Sequence, residues 1–545
     1  MITRLAGGRV IDPAHDRDEV GDLWLADGRV VDRPKGGKAD VTHDCTGKIV
    51  MAGAIDIHSH IAGGNVTLSR LLLPELHENT EAAAPDAPFG TARWSTFETG
   101  RLYARMGYTT VVEPAIAPSH ALQAHLELAD TPIIDKATLA VLGNEDFLLS
   151  LIRKKESRAA VADYVGMMVA RTRALGVKCI NAGGSAAFKE NVRTFSLDDE
   201  VPHYGLTSRQ IFKALQQAVK DLGIRHPLHL HCNNLGVPGA IETLVATIEA
   251  AEDLPLHLAH VQFYAYDTEG KRGMSSGVRK LISALSLAPN VTVDVGQVMF
   301  GQTVTISADV LRQFAGSAAA SPNKWVLWDG DGNGGGIVPF NYKATSVVNA
   351  LQFAIGLEIF LAAHDPWQVY FTTDHPNGAP FTTYPKILHL LMDAGERERF
   401  IAGLPKAAMA LTSLPSLQRE FSLNEVAIMT RAAPARLLGL SDRGHLDPGA
   451  RADVAVYADK ADRTAMFEAA HLVFKDGDLV VRDGQLSGGW RFGRAETVEP
   501  GFDKAIVRRV DRYLDDNWGA SSAALSVPAG ALGRDEPFRV HPCRS

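Results

Sequence analysis

The stretch "IVMAGAIDIHSHIAGG", residues 49–64, ends an apolar run with two histidines that are one residue apart. Side chains alternate along a strand, so His58 and His60 leave it on the same face. Two neutral imidazoles on one face can hold a metal ion from one side. By itself the pair is also compatible with two structural histidines, so its meaning depends on the rest of the chain.

Seven further apolar runs of strand length follow this first one, and helix-length segments separate them. Amphipathic periodicity supports a helix in several of these segments, as in "SRQIFKALQQAVKDLG" with Ser208 as its expected N-cap. Alternating strands and helices indicate parallel βα units, and eight such units predict a (β/α)8 TIM barrel over residues 52–431. The runs are "YTTVVEPA", "ATLAVLGNED", "GVKCINAGG", "PLHLHCNN", "LPLHLAHVQ", "NVTVDVGQV" and "WQVYFTTDHP".

The chain ends have a different pattern. Residues 1–51 and 432–490 contain short strands with Gly and Asp-Gly turns, including the hairpin signal "KDGDLVVRDG". They predict one composite β-sandwich built from both ends. Residues 76–98 and 301–345 are rich in Gly, Pro and polar residues, which predicts two loop insertions at the catalytic end of the barrel. Residues 491–545 are expected to form an extended tail that contacts another subunit.

Composition narrows the possible functions. The 545 residues carry 55 basic and 63 acidic side chains, a net charge of −8, without a basic stripe, which argues against nucleic-acid binding. The four cysteines are far apart and form no CxxC pair, which argues against disulfides, iron–sulfur clusters and cysteine-based zinc sites. There is neither an apolar signal core nor a run of about 18 apolar residues. We therefore expect a cytoplasmic protein that does not span a membrane.

Other strand ends carry further candidate ligands. His229 and His231 end the fifth run on one face, and His260 ends the sixth. Asp374 follows the eighth run, where a barrel enzyme places a catalytic carboxylate. Each histidine has a structural alternative, and for His229 and His257 that alternative is favoured. The occurrence of candidate ligands at the ends of several predicted strands nevertheless indicates a metal centre.

Lys178 lies inside the apolar fourth run, although lysine is rarely buried without a partner. Its amine can reach solvent if the side chain extends along the apolar surface. Alternatively, a deprotonated amine adds carbon dioxide, and the resulting carbamate is an anionic bridge with two oxygens. Placed between metal ligands, Lys178 is therefore a candidate bridge between two cations.

This order of residues resembles the amidohydrolase superfamily, in the branch that has two zinc ions and a carboxylated lysine. The segments "TGKIVMAGAIDIHSH" and "TRAAPARLLGLSDRGHLDPGARADVAVY" resemble that superfamily's entry into and exit from the barrel. The resemblance extends over about residues 1–490. It implies the barrel fold, the composite β-sandwich and hydrolysis of an amide bond.

A narrower resemblance is carried by "HLHCNNLGVPG", "GVKCINAGG", "LHLAHVQFYAY" and "FTTDHPNGAPFTTYP". These segments are similar to the A subunits of formylmethanofuran dehydrogenases and of the bacterial formyltransferase/hydrolase complex of methylotrophs. The resemblance implies that an N-formyl bond on a methanofuran or methylofuran-type carrier is hydrolysed, or formed in the reverse direction, in one-carbon metabolism. It also implies a hetero-oligomer with B-, C- and D-type subunits.

The same resemblance implies a set of site residues. Two zinc ions would be bridged by carboxylated Lys178 and a hydroxide, and Asp374 would also carry the proton to the leaving amine. His231 is preferred to His229 because it aligns with the histidine that precedes a polar pair in related sequences. The six implied ligands are His58, His60, Lys178, His231, His260 and Asp374, and the expected substrate contacts are Asn233, Asn234, Gln262 and His375.

Two other functions stay open at this point. A cyclic amidohydrolase of the hydantoinase or dihydroorotase type shares all six ligand positions. The two long insertions favour a large or partner-delivered substrate over a small cyclic amide. In a different class, the chain would be a non-catalytic scaffold subunit, although a complete ligand set argues against that. Manganese and iron accept similar ligands, so the residues alone do not fix the metal.

Overall fold

The computed structural model describes residues 1–72, 96–190, 192, 194–270, 273–307, 328–330, 335–488 and 490–544. Eight parallel strands pair in chain order and form the barrel. A bridge between Ser59 and His375 joins the ends of the first and eighth strands. The predicted (β/α)8 fold is therefore confirmed. In order, the strands are Ala54–Asp56, Tyr108–Ile116, Asp135–Val141, Gly176–Ile180, Leu228–His231, Leu256–Leu258, Val291–Asp294 and Val369–Tyr370.

Helices connect and cover the barrel strands. The helix Ser208–Asp221 begins with a capping box between Thr207 and Gln210, so its N-cap is Thr207 and not the expected Ser208. No helix among the described residues is long and apolar enough to cross a membrane. The α-helices are Gly64–Leu72, Thr96–Arg105, Ala121–Ala129, Asp146–Arg153, Arg158–Thr172, Gly184–Lys189, Ser208–Asp221, Ala240–Ala250, Val278–Ser286, Val347–Ala362, Tyr384–Met392, Ala394–Ala402, Lys406–Met409, Leu423–Ala427, Ala433–Leu438, Arg463–Phe467 and Ala505–Trp518.

The predicted composite β-domain of the two chain ends forms. Its strands belong to one nine-stranded sheet with its own apolar core. Lys48–Ala52 from the N-terminal part pairs antiparallel with Val454–Ala458 from the C-terminal part. The sheet therefore holds the two ends of the chain together beside the barrel. The N-terminal part adds Ile2–Asp12, Arg17–Ala26, Arg29–Val31 and Val41–Asp44, and the C-terminal part adds Leu472–Lys475, Asp478–Arg482 and Gln485–Leu486.

The two predicted insertions are described only in part. In the first, residues 76–95 lie outside the described residues, and 96–98 begin the helix Thr96–Arg105. In the second, the described parts form a three-stranded antiparallel sheet of Gly301–Ser307, Trp328–Gly330 and Gly335–Tyr342. The prediction of a loop was wrong for these strands, because the β-branched Thr, Val and Ile of "GQTVTIS" favour a strand, and this segment pairs antiparallel with "GGIVPFNY".

The C-terminal segment packs on the barrel, so the prediction of an extended tail was wrong for the described residues. Its strand Ala495–Val498 pairs in parallel with the beginning of the third barrel strand and with the strand Phe538–His541. Val498, Ile506 and Val510 are buried in the main apolar core. Apolar residues among the many charges of this segment therefore anchor it to the same core as the barrel.

A cluster of buried charges fixes this segment at the amino-terminal end of the barrel. Glu496, fully buried, accepts hydrogen bonds from Arg443 at 2.9 Å and Arg539 at 2.7 Å. Arg443 also donates to Asp135 at 3.0 Å, and Lys475 donates to the same carboxylate at 2.9 Å. The cluster thus joins the barrel, the nine-stranded sheet of the chain ends (the end sheet) and the C-terminal segment.

We expect the substitution Glu496→Gln to lower the free energy of unfolding by about 3–5 kcal/mol, because it leaves buried arginines without full charge compensation. Chemical unfolding and limited proteolysis of the C-terminal segment measure the change. Glu536→Gln is the matched control, since Glu536 pairs with Arg494 at 3.1 Å but is 77% exposed. Equal effects of the two substitutions would contradict a specific role for the buried cluster.

Candidate metal centre

The carboxyl ends of the barrel strands surround a cavity of about 510 Å³. Catalytic groups of barrel enzymes lie at this end because the strand ends and their loops converge there. All six ligand candidates from the sequence line this cavity: His58, His60, Lys178, His231, His260 and Asp374. The structure therefore brings together residues from the first, fourth, fifth, sixth and eighth barrel strands.

Three of these side chains meet at the junction of the first and eighth strands. Asp374 Oδ1 lies 3.1 Å from His58 Nε2 and 3.2 Å from His60 Nε2. Burial disfavours the ionised form of Asp374. The nearby rings of His260 and His58 favour that form more strongly, and they hold the pKa of Asp374 well below the usual range. Asp374 is thus an ionised carboxylate beside two imidazoles. It also has a positive φ of 51°, a strained conformation that clusters at functional sites.

His231 and His260 form a second group on the neighbouring fifth and sixth strands, with ring centroids 4.7 Å apart. Neither His231 Nε2 nor His260 Nδ1 has a hydrogen-bond partner among the described residues. Burial lowers the pKa of His231 well below its ordinary value and that of His260 to about 3. Both rings are therefore neutral, which is the form that binds metals.

Lys178 is only 1% exposed, and its Nζ has no hydrogen-bond partner among the described residues. Burial lowers its pKa to about 8, so a substantial fraction of the amine is neutral near physiological pH. Lys136, the other fully buried lysine on a neighbouring strand, instead donates to the carbonyls of Thr131 and Gly493 at 2.9 Å each. Among the lysines that the structure describes, Lys178 is thus a buried one whose amine remains available for chemistry.

The donors fit a metal centre. A buried polar atom without a partner costs about 1–3 kcal/mol, and such atoms on residues of this cavity wall include Lys178 Nζ, His231 Nε2 and His260 Nδ1. Imidazole nitrogens and carboxylate oxygens are also the ligands that zinc prefers when cysteine is absent. The arrangement can therefore hold one cation at the His58–His60–Asp374 group and another at His231 and His260.

His229 lies deeper in the barrel than His231. Its Nε2 is 3.2 Å from His58 Nδ1 and its Nδ1 is 3.3 Å from His226 Nε2, and it is not part of the cavity wall. The strand ends at His231, so the residue two positions earlier on the same face is one pleat further from the open edge. This placement supports the choice of His231 as the ligand.

The structure does not place the four expected substrate contacts in the cavity wall. Gln262 is fully buried and bonded to Tyr266 and to the backbone of Val298. Asn234 bonds to Thr243 and to the backbone of Phe195. Asn233, near Ser208, and His375, near Phe381, also lie outside the wall. Polar wall positions are instead supplied by Asn144, Glu145, Asn181, Ser185, Thr305 and Asn377.

Comparison with known proteins identifies the family. The model of the amidohydrolase family matches residues 41–486. The chain belongs to the amidohydrolase family. It is 53% identical to the A subunit of the formyltransferase/hydrolase complex Fhc of Methylorubrum extorquens, over 98% of this chain and 97% of that protein. It is 34% identical to protein FwdA of Methanocaldococcus jannaschii, over 88% of each chain.

A solved structure gives the same result. The chain superposes with a TM-score of 0.95 and 52% identity on a chain in the crystal structure of the formyltransferase/hydrolase complex FhcABCD from Methylorubrum extorquens, which contains methylofuran. The match covers 100% of both chains. The resemblance to A subunits seen in the sequence is thereby confirmed.

Sequence reasoning missed two carboxylates that support this amidohydrolase site. Glu113, on the second barrel strand, faces His60 Nδ1 at 3.0 Å and accepts from the backbone N–H of Ile61 at 2.6 Å. Asp294, at the end of the seventh strand, faces His58 Nδ1 at 3.0 Å. Each directs the other ring nitrogen, Nε2, toward Asp374. The sequence feature that points to Glu113 and Asp294 is a carboxylate near the end of an apolar run, as in "TTVVEPA" and "VTVDVGQ".

Asp294 connects four barrel strands beneath the cavity. Its Oδ2 also faces His257 Nε2 at 3.2 Å, while its Oδ1 accepts from the His260 backbone at 2.9 Å and from Thr372 at 2.7 Å. The carboxylate is fully buried, and despite burial its pKa is held well below the usual range by His58 and His257. It therefore ties the histidines of the first and sixth strands to one fixed anion.

Proposed function

We propose that this chain is a two-zinc N-formyl amide hydrolase that acts on a formylated methanofuran- or methylofuran-type carrier. The observation that carries the proposal is the convergence of buried, available donors on one cavity at the carboxyl end of the barrel. The similarity over nearly the whole chain to a formyltransferase/hydrolase subunit supports the choice of a formamide as substrate. The products are formate and a free amine, or these are joined in the reverse direction.

In this proposal the six residues divide between two zinc ions. His58, His60 and Asp374 would hold one ion, and His231 and His260 would hold the other. The neutral amine of Lys178 would add carbon dioxide and release a proton, and the resulting carbamate would supply anionic oxygen ligands to the metal centre. The low pKa of its amine favours this reaction, because only the unprotonated nitrogen attacks carbon dioxide. Bound zinc supplies a nucleophile by acidifying water, and it polarises the formyl oxygen.

In this proposal Asp374 transfers the proton from the attacking water to the leaving amine. Asp374 is ionised and lies in the cavity wall, so it can take a proton from the attacking water. It returns that proton to the nitrogen of the formamide, which leaves as an amine once it is protonated. Glu113 and Asp294 keep the two imidazoles of the first strand oriented during this cycle.

The chain is also proposed to work as the A-type subunit of a hetero-oligomer with B-, C- and D-type subunits. The support is its match, over the full length of both chains, to a chain in the FhcABCD structure. The carrier would bring the formyl group from the transferase site of another subunit to the cavity described above.

Formate release tests the proposed activity. The purified complex should release formate from N-formylfurfurylamine and should lose this activity when a chelator removes the metal. Rapid hydrolysis of hydantoin or dihydroorotate with no release of formate would assign the chain to cyclic amide hydrolysis instead. Absence of stoichiometric metal together with absence of all three activities would make it a scaffold subunit.

We expect Asp294→Asn to weaken zinc binding by ~10–100-fold, the usual effect of removing a group that orients a metal-bound histidine. The amide has one acceptor oxygen, so it cannot serve both the two ring nitrogens at Oδ2 and the two donors, the His260 N–H and the Thr372 hydroxyl, at Oδ1. Zinc release to a chromogenic chelator measures the affinity. Thr372→Val is the control, because it removes a hydrogen bond to the other oxygen of Asp294. Equal zinc loss in both variants would indicate general packing damage.

A further inference from the structure

The cavity is much larger than a formyl group needs. Its volume of about 510 Å³ lies in the range of sites that enclose a whole small-molecule ligand. The ligand candidates occupy one part of its wall. Another part is lined by the C-terminal helix Ala505–Trp518, through Val510, Tyr513, Leu514 and Trp518. This part of the cavity must receive the portion of the substrate beyond the reacting bond.

The wall on this side is largely aromatic and apolar, with the carboxylate of Asp146 accepting a hydrogen bond from the Tyr513 hydroxyl at 3.4 Å. Phe147, at the start of the helix Asp146–Arg153, lies with its ring centroid 5.4 Å from Tyr513 and 5.3 Å from Tyr164. Positions 510, 513 and 514 share one face of the C-terminal helix by their three- and four-residue spacing. Trp518 is 70% exposed although it is a large apolar side chain in the cavity wall. Its indole face is therefore available to a ligand.

The C-terminal helix is held in place on both sides. Before it, the strand Ala495–Val498 pairs with the third barrel strand, and Glu496 belongs to the buried charge cluster. After it, Ser522 donates to Asp511 at 2.5 Å and Val527 is buried against the third helix of the barrel, Ala121–Ala129. A wall fixed in this way is preorganised, so binding an aromatic group against it costs little ordering entropy.

We propose that the C-terminal helix determines specificity for an aromatic ring carried close to the formamide nitrogen, with Trp518 and Tyr513 as the residues that contact the ring. This inference rests on the proposed function. A furan ring is flat, uncharged and aromatic, and it suits the Phe147–Tyr513–Trp518 surface, where an alkyl chain would lose the ring–ring contacts. The segment expected to reach a partner subunit thus becomes part of the substrate site.

The test compares two formamides that differ in the ring: N-formylfurfurylamine and N-formylbutylamine. In the complex, Trp518→Ala should raise KM for the furfuryl compound about tenfold and leave kcat within about twofold. Tyr513→Leu should act in the same direction. KM for the butyl compound should not change. Leu287→Ala is the matched control, because Leu287 is 86% exposed and lies outside the cavity wall.

Binding of the amine product separates this inference from the activity itself. Calorimetry with furfurylamine should show about tenfold weaker binding in the Trp518→Ala complex and unchanged binding in the Leu287→Ala complex. Unchanged binding in both Trp518→Ala and Tyr513→Leu, or equal KM changes for the two formamides, would overturn the proposal. If neither formamide is hydrolysed, the proposed function fails, and the calorimetric comparison alone then decides whether this wall binds the ring.

Discussion

Replacing Lys178 with alanine should abolish formate release and reduce the zinc content of the complex. Without the carbamate, two dications would lie close together in a buried site with no bridging anion between them. We expect the loss of activity to exceed the ~10²–10⁴-fold that removal of a general acid–base group causes. Formate assays and metal analysis measure the two effects, and short carboxylic acids such as propionate should partly restore both by occupying the vacated space.

Lys136→Met provides a matched control for this variant. Lys136 is also fully buried, but its amine serves two backbone carbonyls and lies outside the cavity wall. This substitution should lower thermal stability and leave zinc content and activity per folded complex unchanged. Retention of two zinc ions and of activity in Lys178→Ala would contradict the bridging role.

The substitution Asp374→Asn should reduce turnover by ~10²–10⁴-fold while most of the metal remains bound. The amide keeps an oxygen that faces His58 and His60, yet it has no basic site that can take a proton from water and return it to the amine. Steady-state kinetics and metal analysis on the same preparation measure the outcome.

Asp267→Asn is a suitable carboxylate control, because Asp267 is partly buried, pairs with Lys280 at 2.7 Å and lies outside the cavity wall. It should behave like the unmodified protein. Turnover by Asp374→Asn that matches this control would assign proton transfer to another residue.

The barrel and the ligand candidates were predictable because both depend on local patterns. An apolar run of strand length is visible in one short window, and parallel strands present their carboxyl ends at one edge of the barrel. Residues that end such runs, including His60, Lys178, His231 and Asp374, are therefore expected to converge even though hundreds of residues separate them. The choice between His229 and His231 followed from resemblance, and the position of the strand end supplies its physical reason.

The supporting carboxylates and the C-terminal segment were not predictable in the same way. A carboxylate such as Asp294 at the end of an apolar run can equally face solvent, and its partner His58 is 236 residues away. The C-terminal segment is rich in Pro, Gly and charged residues, a composition that predicts an extended tail. Its buried carboxylate Glu496 is instead paired with Arg443, which precedes the C-terminal strands of the end sheet. A short stretch of sequence around Glu496 does not reveal this pairing.

Anomalous scattering at the zinc edge, from crystals of the native complex prepared without chelator, tests the central claim most directly. The account predicts two peaks about 3.5–4 Å apart, one beside His58, His60 and Asp374 and the other beside His231 and His260. Density for a carbamate on Lys178 should join them. A single peak, no peak, or unmodified Lys178 beside two fully occupied metals would contradict the account.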